Sequence, residues 1–340
     1  MDRRDFLKVG ASGVAGALLP FASAQCSELR LSPILSGWNA DIEAIKRFVT
    51  RKKIKYLHQR TSKSFQDSGK GRVVLLYKYL EKELGPLIPH NQMLGDCVGQ
   101  GYALCIDILA ATQIHGIGLA EKFEAKASSE VAYAGSRFEI GHERHRDRDI
   151  LRGDGSWGVY AAEFSTEFGM LPRGIYGGVD LTEYNPAIAR LWGRTGIPDA
   201  LEPQIMKHPI RSTALVGSYN EVRDAIANGY PVSFCSDAGF NPSCRKHNPR
   251  GRDNMGFLRK CGMWNHCMAA IAVDDTERPG VLIQNSWGPS WVGGDKRHGQ
   301  PDGSFWVDAK TIDYMASQGD SYALSSFLGF PAQQLSYDLF

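Results

Sequence analysis

Three residues, far apart in this chain, stand in settings suited to acyl-transfer chemistry. Cys97 follows Asp96 in "HNQMLGDCVGQG" and precedes the apolar run "YALCIDILAATQIH". That order predicts a helix over 97–115, with Asp96 as its N-cap and Gly116 at its end. Cys97 would then lie in the first turn, where unpaired amides and the helix dipole favour the attacking thiolate. Cys105, further along the same apolar helix, reads as a core thiol. A thiolate nucleophile needs a base, and the base needs an orienting group. His266 opens the apolar stretch "HCMAAIAV", a strand able to hold an imidazole rigidly. Asn285 opens "NSWG" directly after the strand "GVLIQ", and its amide could fix the tautomer and ring plane of His266.

The elements that must position these residues change character along the chain. From Asp41 to Lys63 the sequence is basic, with Ile42, Ile45, Val49 and Tyr56 at near-helical spacing. This is a helix with a solvated basic face. After "SGKG", "RVVLLYKYLEKEL" reads as a second helix ending at Gly85 and Pro86. "SSEVAYAGSRF" is another helix and "GHERHRDRD" a charged loop, whose His142 and His145 lack the partners of a metal site. In the second half, "TALVGS" is a short strand. Ser218 and Glu221 form a capping box for the helix in "SYNEVRDAIANGYPVSF", which Gly229 stops. "GMWNHCMAAIAVDD", "GVLIQNSWG" and "GSFWVDAKTIDYM" are β-type runs separated by turn residues. Helices first and strands later predict an α+β chain with two lobes.

Composition narrows the setting. The chain has 340 residues, 43% of them hydrophobic and 22% charged, with a net charge of +2. A sizeable core is expected, and nothing in the balance asks for nucleic acid or a membrane surface. "MDRRDFLKVGASGVAGALLPFASAQ" joins twin arginines, a modest apolar stretch and Ala22-Ser23-Ala24. It is similar to a bacterial twin-arginine export signal over 1–24, cleaved after Ala24. Beyond it no apolar stretch approaches the roughly 18 residues of a membrane span, so no integral membrane segment is expected after signal removal. Export to the periplasm or outside permits disulfides. Seven cysteines leave at least one unpaired if pairing is internal. Cys235 with Cys244, and Cys261 with Cys267, are the plausible short loops, although sequence does not fix the pairing.

The blocks "NQMLGDC", "NHCMAAIAVDD" and "VLIQNSWGPSWVGG…GSFWV" resemble the active-site blocks of the papain-like cysteine peptidases, in that family's order of Gln, Cys, His and Asn. "EVRDAIANGYPVSFCSDAGF" is similar to the segment before the family's His loop, and the resemblance spans residues 86–320. It implies a papain-like two-lobe fold: a helical lobe over 86–190, a β-rich, barrel-like lobe over 191–330, and the active cleft between them. Residues 25–85 would be an N-terminal extension or short pro-segment, and 331–340 a tail. Cys97 would be the nucleophile, His266 the general base and acid, and Asn285 the orienter. Gln92 and the Cys97 amide would donate to the oxyanion.

Further roles follow from the same resemblance. Trp287 would shield the His–Asn bond and Trp291 would lie on the leaving-group side. The Asn265 carbonyl would meet the substrate, Gly153 or Gly155 of "GDGSWG" would pair with its backbone, and Cys267 would line a specificity pocket. The implied activity is hydrolysis of peptide bonds in a peptide or protein substrate through an acyl-enzyme. No metal or organic cofactor is required, and no nucleic-acid partner is expected. Two alternatives keep the fold: an acyltransferase or amidase acting on a cell-wall peptide, and a catalytically silent binding protein.

The sequence also departs from the family pattern. Leu94-Gly95-Asp96-Cys97-Val98 lacks the upstream cysteine and the following aromatic of the usual signature. Gln92 precedes Cys97 by five positions, where the family has six. Asp96 places a negative charge beside the thiol, which opposes thiolate formation. Cys267 stands where a small alanine is usual. "GDGSWG" is also a literal Gly-x-Gly-x-x-Gly, but the charged "HERHRDRDI" before it is a poor buried strand, so a dinucleotide fold is not expected.

Overall fold

The computed structural model describes residues 35–248 and 251–336; residues 1–24, where an export signal is expected, and Cys26 lie outside them. In chain order the elements are α1 (Ile42–Lys52), β1 (Val73–Leu75), α2 (Tyr77–Leu84), α3 (Cys97–Ala111), α4 (Ser129–Ala134), α5 (Gly158–Glu167), β2 (Ile175–Tyr176), β3 (Val179–Asp180), α6 (Pro186–Thr195), α7 (Glu202–Ile205), β4 (Ser212–Leu215), α8 (Tyr219–Ala227), β5 (Val232–Ala238), β6 (Met263–Asp274), β7 (Gly280–Gln284), β8 (Ser304–Asp308), α9 (Ala309–Ala316) and β9 (Tyr322–Ser325). Most helices precede most strands, and the chain is α+β.

The main sheet is antiparallel and runs β4-β9-β5-β6-β7-β8, with β1 added against β6. Register sets the chemistry of β6: Cys267 lies opposite Cys235, His266 opposite Ser236, and Ala269 opposite Gln284 of β7. β5, β7 and β9 are buried along their whole lengths, the polar Ser233, Ser236 and Asp237 of β5 included. α3 packs on β5 and β6 and is flanked by α2 and α4, so it buries residues all round. Its "GQG" permits that closeness. A Cβ on Gly99 would come within 2.6 Å of the Ser129 carbonyl, and one on Gly101 within 3.1 Å of Cys267 Sγ. Together with its wider-turned extension, this helix runs 21 residues to Ile117 and is apolar enough to cross a membrane, yet most of it is buried in the protein.

Several local expectations shift. "RVVLLYKYLEKEL" is not one helix: Val73, Val74 and Leu75 extend and pair with Asp274, Val273 and Ala272, and α2 starts at Tyr77. Tertiary pairing of a β-branched pair overrides the helical pattern there. The basic helix stops at Lys52, because Lys53 turns left-handed and returns its N–H to Thr50 and Val49. Its buried face is Ile45, Phe48 and Val49. α3 gives way after Ala111 to wider turns that run to Ile117, and Gly118 caps them, two residues later than the expected Gly116. Similar turns carry the helix after α4 through Arg144, into the charged stretch, where Arg144 and His145 meet Glu163. Only half of the capping box forms. Ser218 Oγ accepts from the Glu221 N–H, but the Glu221 carboxylate accepts from Gly217 and His58.

The disulfide joins Cys244 to Cys261, not the pairs suggested by short spacing. β5 and β6 carry Cys235 and Cys267 inward as direct neighbours, while the excursion between the strands folds back so that Cys261 meets Gly239. Among the described residues Cys97, Cys105, Cys235 and Cys267 are buried free thiols. All described residues fall in one compact unit.

Candidate active site

α3 starts at Cys97, so the thiol does lie in a first helical turn. Asp96 holds the N-cap position but its side chain makes no capping bond. It is fully buried and accepts instead from Tyr184 Oη at 2.8 Å and Gln100 Nε2 at 3.0 Å. Burial pushes its carboxyl up to about 7, so near neutral pH it is partly protonated and its charge beside the thiol is reduced.

Cys97 Sγ accepts the Cys267 N–H at 3.3 Å, and the nearby Gly37 backbone also favours the thiolate. Burial, reinforced by Cys267, still holds the thiol well above its ordinary range despite both. Cys267 is the neighbour of His266, so α3 and β6 bring sulfur and imidazole to one place. His266 Nε2 contacts Asn285 Oδ1 at 2.8 Å, and the Ser286 N–H holds the same oxygen at 2.7 Å. Trp287 lies over the imidazole with ring centroids 4.6 Å apart, and Trp291 meets Trp287 edge-on at 5.7 Å. Trp291 is anchored by its own N–H to the Gly303 carbonyl at 2.7 Å. His266 Nδ1 has no hydrogen-bond partner among the described residues, so it makes no hydrogen bond to Cys97 Sγ. Burial lowers the imidazole to about 4, against the opposing Asn285 bond. Burial thus disfavours the charged form of both thiol and imidazole in this arrangement.

Gln92 is held by its backbone N–H on the Ser286 carbonyl at 2.8 Å and by Ser286 Oγ on its Oε1. Its Nε2 donates to the carbonyls of Leu94 and Leu35, both at 2.9 Å. Leu35 belongs to a stretch that crosses the site. The Trp38 N–H donates to the Asn265 carbonyl at 3.1 Å, the Asn39 N–H to Ser156 at 3.0 Å, and the Ser156 N–H to Gly37 at 2.9 Å. Gly37 presses so closely on Gly95 that a Cβ would fall 1.9 Å from the Gly95 carbonyl oxygen. Trp38 is buried and its Nε1 donates to Asp320 Oδ2 at 2.7 Å.

Known structures share this architecture. Xylellain, a cysteine protease from Xylella fastidiosa, matches with a TM-score of 0.57 at 17% identity, over 87% of this chain and 97% of that one. This is the papain-like cysteine protease fold. The ragweed-pollen Amb a 11 cysteine protease in its proform gives 0.45 at 14% identity, over 74% of this chain and 64% of its own. The bromelain protease of Ananas comosus in complex with E64 gives 0.42 at 15%, over 72% and 96%. No family profile and no curated protein matches the sequence.

On this papain-like fold, the structure gathers Cys97, His266, Asn285, Gln92, Asn265, Cys267 and Trp287 into one neighbourhood. Gly153 and Gly155 turn their carbonyls to the Arg137 guanidinium, and the backbone pairing falls one residue later, on Ser156. Ser156 and Ser286 fall within "GDGSWG" and "NSWG", motifs whose other residues drew the chemical argument. Residues 35–39 and Asp320 carry no sequence signal, since neither stands in a periodic or family-like pattern. No group of three His, Cys, Asp or Glu side chains able to hold a metal occurs among the described residues.

Asp96, Asp107 and Asp320 are all fully buried carboxyls pushed up to about 7 by that burial. Raised folded-state values mean that the folded chain binds these protons more tightly than the unfolded chain. The stability they contribute is full below about pH 4 and lost as pH rises through about 7. Thermal melting should show Tm falling between pH 5 and pH 8. Asp107→Asn, which keeps an oxygen for the Ala127 N–H, should flatten part of that slope.

Proposed function

We propose that this chain is a cysteine peptidase that hydrolyses peptide bonds through an acyl-enzyme on Cys97, and that residues 35–39 hold its cleft closed. One observation carries the reading: a peptide backbone already lies across Cys97, with its groups met by Gln92, Asn265 and Ser156. A cleft that satisfies peptide carbonyls and amides in this way suits a peptide substrate.

In the reaction, the segment withdraws and water and substrate enter. His266 then takes the Cys97 proton through Nδ1, with Asn285 holding Nε2. The thiolate attacks the carbonyl carbon, and the oxyanion is met by Gln92 Nε2 and the Cys97 N–H at the start of α3. His266 protonates the leaving amine, then draws a proton from the water that releases the acyl group. In this reading a helical lobe, 86–190, supplies Gln92 and Cys97. A β-rich, barrel-like lobe, 191–330, supplies His266 and Asn285. Only the part of the 25–85 extension before β1 can act as a removable pro-segment, because losing β1 would strip a strand from β6. Export fits the Cys244–Cys261 disulfide.

The test is a pool of internally quenched peptides, read by mass for cleavage, with and without an added amine. Hydrolysis products alone support a peptidase, amine-capped products indicate acyl transfer, and no cleavage by folded wild-type or folded Gly37→Ala protein indicates a silent relative. Gln92→Ala should lower kcat about 100- to 1,000-fold with little change in KM, because its amide acts chiefly on the oxyanion.

A further inference from the structure

We infer that the pocket now filled by Trp38 is the substrate side-chain pocket beside the nucleophile, and that Asp320 makes it select a flat side chain carrying an N–H donor, the indole of a substrate tryptophan. The inference rests on the peptidase reading above. Its first support is position. The Trp38 N–H bonds the carbonyl of Asn265, the residue before His266, and the adjoining Gly37 packs on Gly95, two residues before Cys97. A peptide that replaces the segment meets the same carbonyl, and a side chain at that level enters the same pocket.

The second support is the chemistry of the pocket's end. Trp38 is 2% exposed and Asp320 is 0% exposed. Besides the indole, Asp320 Oδ2 accepts the Gly158 N–H and Oδ1 the Val159 N–H, each at 2.7 Å. These two amides open α5 and fix the carboxyl in place, so it cannot swing away when the indole leaves. A substrate indole restores the third donor. A benzyl or naphthyl group fills the space and leaves a buried carboxyl oxygen short of a partner. Sites built around a buried hydrogen bond reject the analogue that lacks it, often strongly.

The discrimination should sharpen as Asp320 ionises. Burial puts this carboxyl at about 7. The titratable groups that face it are Tyr102 of α3, Tyr160 of α5, Cys235 of β5 and Tyr322 of β9, none of them a cation. An anionic Asp320 therefore depends more on its N–H donors than a protonated one does.

The experiment uses the full chain with Trp38→Ala, which frees the pocket and leaves Asp320 in place. Peptides identical except for tryptophan, 1-methyltryptophan, 2-naphthylalanine or phenylalanine at the selective position are compared by kcat/KM. The expected result is at least a 10-fold preference for tryptophan over each analogue without the N–H, larger at pH 8 than at pH 5. Equal rates for tryptophan and 1-methyltryptophan overturn the inference, as does a best substrate with an aliphatic residue. If no peptide is cleaved although the protein is folded, the peptidase reading fails separately. The pocket is then judged by calorimetric binding of N-acetyltryptophanamide and its 1-methyl analogue to the same variant. Tighter binding of the unmethylated compound supports the role of Asp320, and equal or absent binding overturns it.

Discussion

Replacing Cys97 by alanine should abolish peptide hydrolysis, with a loss in kcat/KM of at least about 10,000-fold. The size follows from the absence of a substitute nucleophile in the cleft. Cys105 and Cys235 are buried thiols that burial pushes well up. Cys267 is buried, with its sulfur on Ser233 Oγ at 3.2 Å. The change is small in volume, so the melting curve should move little. His266→Ala should cost a similar factor, and the double variant little more than either alone, because the two residues act as one unit. Rates that multiply in the double variant would mean that His266 acts elsewhere.

Unseating residues 35–39 should do the opposite. Gly37→Ala places a methyl 1.9 Å from the Gly95 carbonyl oxygen, so either the segment or the loop before α3 must yield. The loop is tied down by Gln92 on Ser286 and by Asp96 on Tyr184 and Gln100, so the segment is the softer side. Trp38→Ala removes a buried indole and its bond to Asp320, a change of about 3–5 kcal/mol for a well-packed aromatic. Either variant should raise kcat/KM by roughly 10- to 100-fold, limited by the fraction of wild type already open. The two together should not exceed that ceiling. Alkylation of Cys97 by a haloacetamide should accelerate in parallel. Access improves, and admitted water relieves the burial that holds the imidazole at about 4 and the thiol high. A folded variant that hydrolyses more slowly than wild type would show that the segment is a wall of the site and not a block.

Much of the site is legible in the amino-acid sequence, for identifiable reasons. "NSWG" after an apolar strand and "NHC" opening another carry their chemistry in short, rigid contexts, and β6 and β7 pair so that His266 and Asn285 meet. Cys97 can be placed at a helix start because a turn, an acidic residue and an apolar run coincide there. The side-chain direction of Asp96 cannot, since Tyr184 comes from a distant part of the chain. Val73–Leu75 read as helix because only β6, some 200 positions away, makes them a strand. The disulfide misleads for the same reason. Loop length favours neighbours in sequence, while strand register carries Cys235 and Cys267 into the core. Residues 35–39 leave no trace, because backbone hydrogen bonds and one indole hold them in place, and neither makes a pattern in the sequence.

The most direct measurement is covalent labelling of the Gly37→Ala protein with a cysteine-directed epoxide, followed by peptide mapping. One epoxide per chain, attached to Cys97, with hydrolysis lost in proportion to labelling, is the expected result. Hydrolysis that persists with Cys97 fully labelled, or a loss of activity while Cys97 stays unmodified, would contradict Cys97 as the nucleophile.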